Sequence, residues 1–169
     1  MVDTLKPIEV FKMTDNIFKL ISTDWMLVTA GDIESYNTMT AAWGTFGELW
    51  SLEVCICYVR PTRYTYDFME KSRTFTLSFF DEAFRDTLNY CGTKSGRDVD
   101  KMSIPELTAV KSKDNSVYFA EARLVVECSK IYTQDIDPER FLDSKIHDKY
   151  PKKDYHRMYV GEIIQCLTR

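Results

Sequence analysis

Short apolar segments with the character of β-strands constrain the fold of this chain more than any other feature of its sequence. In Ser51–Val59, SLEVCICYV, alternate residues fall on one face, as the two-residue period of a strand requires: Leu52, Val54, Ile56 and Tyr58. Further strands are predicted over Trp25–Gly31, Asn37–Gly44, Thr74–Phe80, Val117–Tyr132 and Arg157–Leu167. The pattern thus predicts about six strands bounded by turns or short helices.

Short helices connect these strands. One is predicted over Tyr64–Lys71, a second begins at the cap residue Asp81 and ends at Gly92, and a third begins at Pro138 behind the cap residue Asp137. Because no βαβ unit repeats, the order of elements favours a closed antiparallel barrel over a parallel sheet. We expect a mainly β fold in a single domain over 1–169. The centre of such a barrel is too small for a ligand, so ligands are expected outside it or at a dimer seam.

Charge and cysteine content argue against several classes of function. The formal net charge is -4, and basic residues are mixed with acidic ones, which disfavours binding to nucleic acid or to an anionic membrane. The N-terminus lacks the basic and apolar regions of a signal peptide, so a cytoplasmic location is expected. Five cysteines at scattered spacings indicate neither a disulfide framework nor a zinc site, and no metal is expected.

The segment NTMTAAWG, Asn37 to Gly44, combines amide and hydroxyl groups with small residues. Its two alanines let a flat ligand approach the backbone closely. Backbone N–H and C=O groups then bond to the edge of a conjugated ring such as an isoalloxazine, where they decide how charge settles on reduction. The alternative is a polar strand beside a tight turn at Gly44 and Gly47.

The segment VRPTRYT has the composition of a phosphate-binding turn. Arg60 and Arg63 bracket Pro61, which fixes the turn, and Thr62 and Thr65 add hydroxyls where a helix begins. Arginines that are simply solvated on a turn are the alternative interpretation.

The segment CGTKSGRDVDK, Cys91–Lys101, predicts a polar loop. Gly92 and Gly96 give it mobility, and Ser95 and the two lysines are suited to reach a phosphate or close over a ring. The order of its residues is not that of a Walker loop. A position at the C-terminal end of a helix disfavours a thiolate, so Cys91 is expected to be a ligand contact at most.

The two histidines differ in their surroundings. His156 leads into the last strand and is placed to donate to a ligand at a dimer seam, whereas His147 is expected on a helix surface. Neither has the neighbours of a metal site, and no Ser-His-Asp order stands out, so hydrolysis is disfavoured.

Five segments taken in order resemble the flavin reductase-like proteins with the FMN-binding split-barrel fold, and among them the flavoredoxin branch: NTMTAAWG, RPTRYT, FTLSFF, CGTKSGRDVDK and YVGEI. The resemblance extends from Asp24 to Gly161. It implies a six-stranded antiparallel Greek-key split barrel that forms a homodimer, with one FMN per subunit near the dimer interface.

The resemblance also implies which residues contact the cofactor, position by position. The isoalloxazine is expected to meet one continuous segment, mostly through backbone groups: Asn37, Thr38, Met39, Thr40, Ala41, Ala42 and Trp43. The ribityl phosphate is expected near Arg60, Arg63 and Thr65. The flank of the flavin is expected to contact Ser78 and Phe79. The phosphate end is completed by a loop that supplies Cys91, Gly92, Ser95 and Lys101.

The function that the resemblance implies is an oxidoreductase in which NADH or NADPH reduces FMN, rather than FAD, and electrons pass to a diffusible flavin, an oxidant or a partner protein. Thr40 and His156 are the candidates if a side chain acts as an acid. The alternative is a non-catalytic FMN electron carrier with a redox partner protein, since the chain lacks a Gly-x-Gly-x-x-Gly fingerprint. A barrel that has lost its flavin is disfavoured, because Asn37, Thr40, Arg63 and Lys101 occur together.

Overall fold

Most of the chain is built from antiparallel strands. The computed structural model describes residues 4–169. Its strands are β1 (Lys6–Pro7), β2 (Met26–Asp32), β3 (Ser35–Ala41), β4 (Gly44–Leu49), β5 (Leu52–Val59), β6 (Thr74–Phe79), β7 (Ala109–Lys111), β8 (Val117–Phe119), β9 (Leu124–Asp135) and β10 (Arg157–Thr168). The α-helices are α1 (Ile17–Lys19), α2 (Tyr64–Lys71) and α3 (Arg85–Thr93).

The strand order shows that the main sheet closes on itself. It runs β3-β2-β6-β9-β10-β5-β4, with β1 paired to β10 at the side and β7–β8 forming a separate hairpin. The two end strands, β3 and β4, are joined only by Ala42 and Trp43. Three Cα–Cα steps span at most about 11 Å, so the end of β3 and the start of β4 must lie close together. This confirms the predicted mainly β, antiparallel split barrel.

Alternate side chains along the strands pack on opposite faces of the sheet, one set inside the barrel and the other against its outside. Along β9, Val126 and Cys128 belong to one buried cluster and Val125 to another. In β2, Val28 and Leu27 are divided in the same way. A strand that is buried on both faces reads as a continuous apolar run, which explains why β2 was visible in the sequence.

The predicted strands differ from the observed ones in number and in one boundary. The segment Val117–Tyr132 contains two strands rather than one, because Ala122 N–H donates to Phe119 O at 3.1 Å and closes a turn between β8 and β9. The segment Asn37–Gly44 spans the end of β3 and the start of β4. Eight strands form the main sheet instead of about six; β1, with only two residues, is too short to show a period.

The helix predictions were right in position and partly wrong in form. Tyr64–Lys71 is helical as predicted. The helix predicted from Asp81 is divided into a 3-10 turn over Glu82–Phe84 and α3, and the Asp81 carboxylate makes no capping bond. Gly92 lies within the last turn of α3 rather than after it. The segment after Asp137 forms only a three-residue 3-10 turn, although the Asp137 side chain caps it by accepting from the N–H of Glu139. Within residues 4–169, no helix has both the length and the apolar character needed to cross a membrane.

Candidate functional site

The candidate site is a cavity at the seam where β3 passes into β4. It has a volume of about 230 Å³ and is lined by Met39, Thr40, Ala41, Ala42, Trp43, Tyr58, Arg60, Arg63 and His156. Two segments far apart in sequence and a histidine from a third thus meet in one place. The sequence had identified all of these residues as site candidates except Tyr58.

Tyr58 was missed because its signal was absorbed by the strand pattern. It shares a face of β5 with Leu52, Val54 and Ile56. All of these except the buried Val54 are half-buried, whereas Cys55 and Cys57 on the opposite face are completely buried. The barrel interior therefore lies on the cysteine side of β5. The apolar alternation that revealed the strand marks its outward face, on which Tyr58 reaches the cavity.

The backbone at the seam is open to a ligand. In the described part of the chain, β3 is paired only with β2 and β4 only with β5, so each has a free edge. Ala42 and Trp43 between them belong to no strand pair. A free strand edge presents N–H and C=O groups that are ready to bind. The small side chains of Ala41 and Ala42 leave these groups accessible.

The two arginines of the cavity are held differently. Arg60 donates from Nη1 to Asp154 Oδ1 at 2.7 Å and from Nη2 to Lys149 O at 2.8 Å, and its guanidinium lies 4.8 Å from the ring centre of Tyr150. Arg63 is half-buried, and among residues 4–169 no group hydrogen-bonds to its guanidinium or forms an ion pair with it. Burial, followed by repulsion from Arg60, lowers the pKa of Arg63. A desolvated cation without a partner is poised to bind an anion.

Asn37 and Thr65 lie behind the cavity rather than in its wall. Their side chains are buried and bonded to each other, with Asn37 Nδ2 donating to Thr65 Oγ1 at 2.7 Å. If the amide is turned over, Asn37 Oδ1 accepts from both the hydroxyl and the N–H of Thr65, at 2.7 and 3.3 Å. In either orientation the pair joins β3 to the first turn of α2. It therefore fixes Arg63, the residue before α2, relative to the seam.

Lys101 also supports β3 from behind. Its Nζ donates to Thr38 O and to Cys91 O, both at 2.8 Å, and only 4% of the residue is exposed. Burial lowers the pKa of Lys101 to about 8 and raises that of the Cys91 thiol to about 11. The Thr38 side chain is fully buried too, and its hydroxyl bonds to Thr29 Oγ1 at 2.8 Å. None of these side chains lines the cavity.

The end of α3 and the loop that follows it pack closely on β3 and α2. A Cβ atom at Gly92, in the last turn of α3, would lie 3.3 Å from Thr40 Cβ in β3, and one at Gly96, in the loop, would lie 2.7 Å from Tyr64 Cδ1 in α2. Ser95 Oγ accepts from the N–H of Arg97 at 3.2 Å within the loop itself. The glycines therefore permit close packing against the strand. The predicted contacts of this loop with a phosphate stay a prediction, because the loop does not line the cavity.

Ser78 and Phe79, the residues predicted at the flavin flank, are completely buried in β6. The Phe79 ring packs 6.3 Å from that of Phe46. The Ser78 hydroxyl has no hydrogen-bond partner in the described structure. Neither residue lines the cavity, so the structure brings them near β2 and β9 rather than near Arg63.

The two candidate proton donors are constrained by their neighbours. The Thr40 hydroxyl donates to Leu88 O at 2.5 Å, so its proton is already engaged. His156 is 9% exposed, bonds through Nδ1 to the Tyr150 hydroxyl at 2.9 Å and stacks at a tilt on Trp43 with ring centres 4.8 Å apart. Burial, and then Arg60, lowers the pKa of His156 to about 4. The imidazole is therefore neutral at pH 7. His147 is exposed, as predicted, and does not line the cavity.

Comparison with known proteins gives a consistent match. The family model of the flavin reductase like domain matches residues 18–169. Among solved structures, flavoredoxin from Methanosarcina acetivorans is similar, with a TM-score of 0.71 and 20% identity over 96% of this chain and 76% of that chain. An FMN-binding protein from Thermus thermophilus, with bound p-hydroxybenzaldehyde, gives a TM-score of 0.68 and 18% identity over 96% of this chain and 82% of that chain. None of the curated protein sequences matches.

An NADH:FAD oxidoreductase from Streptomyces globisporus, in complex with NAD and FAD fragments, has a TM-score of 0.65 and 17% identity over 85% of this chain and 73% of that chain. At these identities the solved structures establish the shared fold. The match to the family model is a separate finding, and it covers residues 18–169, which is most of the chain.

Proposed function

The chain belongs to the flavin reductase-like domain family, and on this premise we propose that it is an FMN-binding oxidoreductase that takes hydride from NADH or NADPH and passes electrons to an acceptor. One observation carries the proposal. A single cavity combines the open backbone of Ala42 and Trp43 with the guanidinium of Arg63, which has no partner among residues 4–169.

The residues around Arg63 fit a phosphate group. Arg63 stands at the N-cap position of α2, where the N–H groups of Tyr64 and Thr65 have no partner within the helix and that of Tyr66 donates to Arg63 O at 2.9 Å. These groups and the helix dipole favour an anion at this end. Arg63 adds a full positive charge with which no acidic side chain among residues 4–169 forms an ion pair. Arg60 is held by Asp154 and contributes mainly by its field.

The seam fits the edge of a flat ring. FMN, when bound, supplies the chemistry of hydride acceptance and electron donation. The chain's own part is to orient the ring against Ala41 and Ala42 and to direct backbone groups of the seam at its edge. His156, neutral at pH 7, adds an imidazole whose orientation is fixed by Tyr150. In this proposal Thr40 holds α3 against β3 through its bond to Leu88 O rather than transferring a proton.

A homodimer is part of the proposal. The cavity of about 230 Å³ is smaller than the roughly 300–1,000 Å³ of ordinary ligand pockets, so a second subunit would complete its walls. Exposed apolar residues on β4, β9 and β10 offer a surface for it: Leu49, Ile131, Tyr132 and Ile164, with Trp50 in the turn after β4. FMN would then lie near the interface.

The test is a visible absorption spectrum of the purified protein, followed by anaerobic addition of NADH and then of NADPH. Flavin bands that bleach rapidly with either nucleotide are the expected result. A colourless protein that FMN cannot reconstitute would contradict the proposal, since the cavity would then hold no flavin.

A second candidate function is a non-catalytic electron carrier. Its support is the fold shared with flavoredoxins from Methanosarcina acetivorans and Desulfovibrio vulgaris. In that case bound FMN would exchange electrons with a partner redox protein, and the bands would bleach with dithionite but with neither nucleotide. The same titration therefore separates the two functions.

A further inference from the structure

A second cavity adjoins the candidate flavin site. It has a volume of about 760 Å³ and shares Ala42, Trp43 and Tyr58 with the smaller cavity. The wall away from the seam is formed by α1 and the π-helical turn Leu20–Asp24 that follows it, with Ile21 in the turn and the exposed Phe18 at the mouth. A molecule bound there would be separated from the flavin site only by the side chains at the seam.

The lining of this second cavity determines the chemical class of its ligand. It contains no aspartate, glutamate, lysine or arginine, and most of its surface is apolar. A nicotinamide dinucleotide carries phosphates, which require cations or N–H donors that this wall does not supply. A neutral and largely apolar molecule matches it, and the volume lies within the usual range for small-molecule pockets.

Four hydroxyl groups lie in the apolar wall, and two of them, those of Tyr58 and Thr45, are free to bind a ligand. The other two are engaged, because Ser22 Oγ bonds to Phe18 O at 2.7 Å and the Tyr150 hydroxyl bonds to His156 Nδ1 at 2.9 Å. The hydroxyls of Tyr58 and Thr45 make no side-chain hydrogen bond within the described chain. Thr45 pairs with Ile56 across the ladder and so lies on the same face as Tyr58.

Burial raises the pKa of Tyr58, which keeps its hydroxyl protonated at neutral pH. The cavity thus offers a largely apolar space with two hydroxyl donors, those of Tyr58 and Thr45, on one face. A carbonyl oxygen accepts such donors, and a neutral cyclic dicarbonyl presents two of them.

We propose that the apolar cavity bounded by Phe18, Trp43 and Tyr58 binds a small neutral quinone, which serves as the electron acceptor of the flavin site. The redox role rests on the proposed function, whereas the binding does not. The overall reaction balances as NADH plus one proton plus quinone giving NAD+ and hydroquinone. The two electrons come from the nicotinamide, and the second proton comes from solvent.

The experiment measures binding of 1,4-naphthoquinone to the FMN-loaded protein in the absence of nicotinamide, by isothermal titration. The variant Phe18→Glu puts a carboxylate at the mouth of the cavity, and Phe18→Leu retains an apolar contact. Phe11→Glu is the matched control, because Phe11 and Phe18 are 83% and 86% exposed and Phe11 does not line the cavity. Such exposed positions leave folding intact.

Binding with one site per subunit, about tenfold weaker in Phe18→Glu and unchanged in Phe11→Glu, is the expected result. Phe18→Leu should bind within about threefold of the unmodified protein. FMN content and bleaching by NADH, recorded on the same samples, test the proposed function separately. If NADH bleaches the flavin but no naphthoquinone binds, the inference fails while the proposed function stands.

Two further outcomes also overturn the inference. Displacement of FMN by naphthoquinone would show that the cavity belongs to the flavin ring itself. A change of Phe18→Glu from dimer to monomer in size-exclusion chromatography would show that a second copy covers the cavity. Conversely, a protein that binds no FMN but still binds naphthoquinone with the same dependence on Phe18 would retain the site and lose the proposed function.

Discussion

His156 should make the protein sensitive to mild acid, and the size of the effect follows from its surroundings. Burial lowers the pKa of this imidazole from 6.5 to about 4 in the folded state. Between these two values the unfolded chain binds a proton that the folded chain does not, so the free energy of unfolding falls as the pH falls. The contribution is fully present above pH 6.5 and is lost progressively towards pH 4.

The expected magnitude can be worked out from the linkage relation. A shift of one pKa unit corresponds to about 1.4 kcal/mol, so complete loss would amount to about 3 kcal/mol. From pH 7.5 to pH 5 the same relation gives a loss of about 2 kcal/mol. Carboxylates titrate in this range as well, but they do so equally in a variant that lacks only the imidazole.

The assay is urea unfolding of the apoprotein at pH 7.5 and pH 5, for the unmodified chain and for His156→Gln, which retains a hydrogen-bonding group beside Tyr150. The pH-dependent loss of stability should be about 2 kcal/mol smaller in His156→Gln. His147→Gln, at an exposed histidine, is the control and should change the dependence little. Equal losses in the unmodified chain and in His156→Gln would refute the reasoning, since His156 would then be free to ionise in the folded protein.

Three further substitutions test the site and its support. Arg63→Ala should weaken FMN binding by about 2 kcal/mol, measured by quenching of flavin fluorescence. Arg140, whose side chain is 87% exposed, is the control and can be replaced by alanine without effect on binding. If Arg63→Ala affects FMN binding no more than Arg140→Ala does, the phosphate lies elsewhere. Lys101→Met should lower the free energy of unfolding by about 1–3 kcal/mol, because two buried carbonyls lose their donor; urea midpoints check this, and an unchanged midpoint would contradict it. Gly96→Ala should destabilise by about 1–3 kcal/mol, because the added methyl group overlaps the side-chain amide of Asn37, whereas Gly47→Ala, with open space around it, should be tolerated. Thermal unfolding of both alanine variants tests this, and similar midpoints would argue against the close packing.

From the sequence, we could predict which segments lie near the cavity better than which of their side chains face it. The segment ending in Trp43 and the arginine turn, which the sequence predicts to contact one ligand, line one cavity in the structure, whereas their contact with that ligand stays a prediction. Lys101 and Asn37 were assigned to the ligand as well, although both side chains point away from the cavity and hold β3 in position. A two-residue period shows which residues share a face of a strand but not which face looks onto a cavity. That depends on what packs behind the strand, and α3 with its following loop is more than 40 residues away from β3 in the chain.

The position of the site follows from the way this barrel closes. A barrel that closed by a complete hydrogen-bond ladder would have no free strand edges. Here β3 and β4 meet through the connection at Ala42 and Trp43 instead, so their facing edges remain unpaired in the described structure. Backbone groups at such a seam are costly to bury without partners, and a ligand with hydrogen-bonding atoms along its edge supplies those partners. The supports behind β3, from Lys101 and from the Asn37–Thr65 pair, keep the seam from closing by a shift of the strand. In the proposed function, the interruption in the ladder is thus the feature that would let this small and well-filled barrel bind a flat cofactor on its outside.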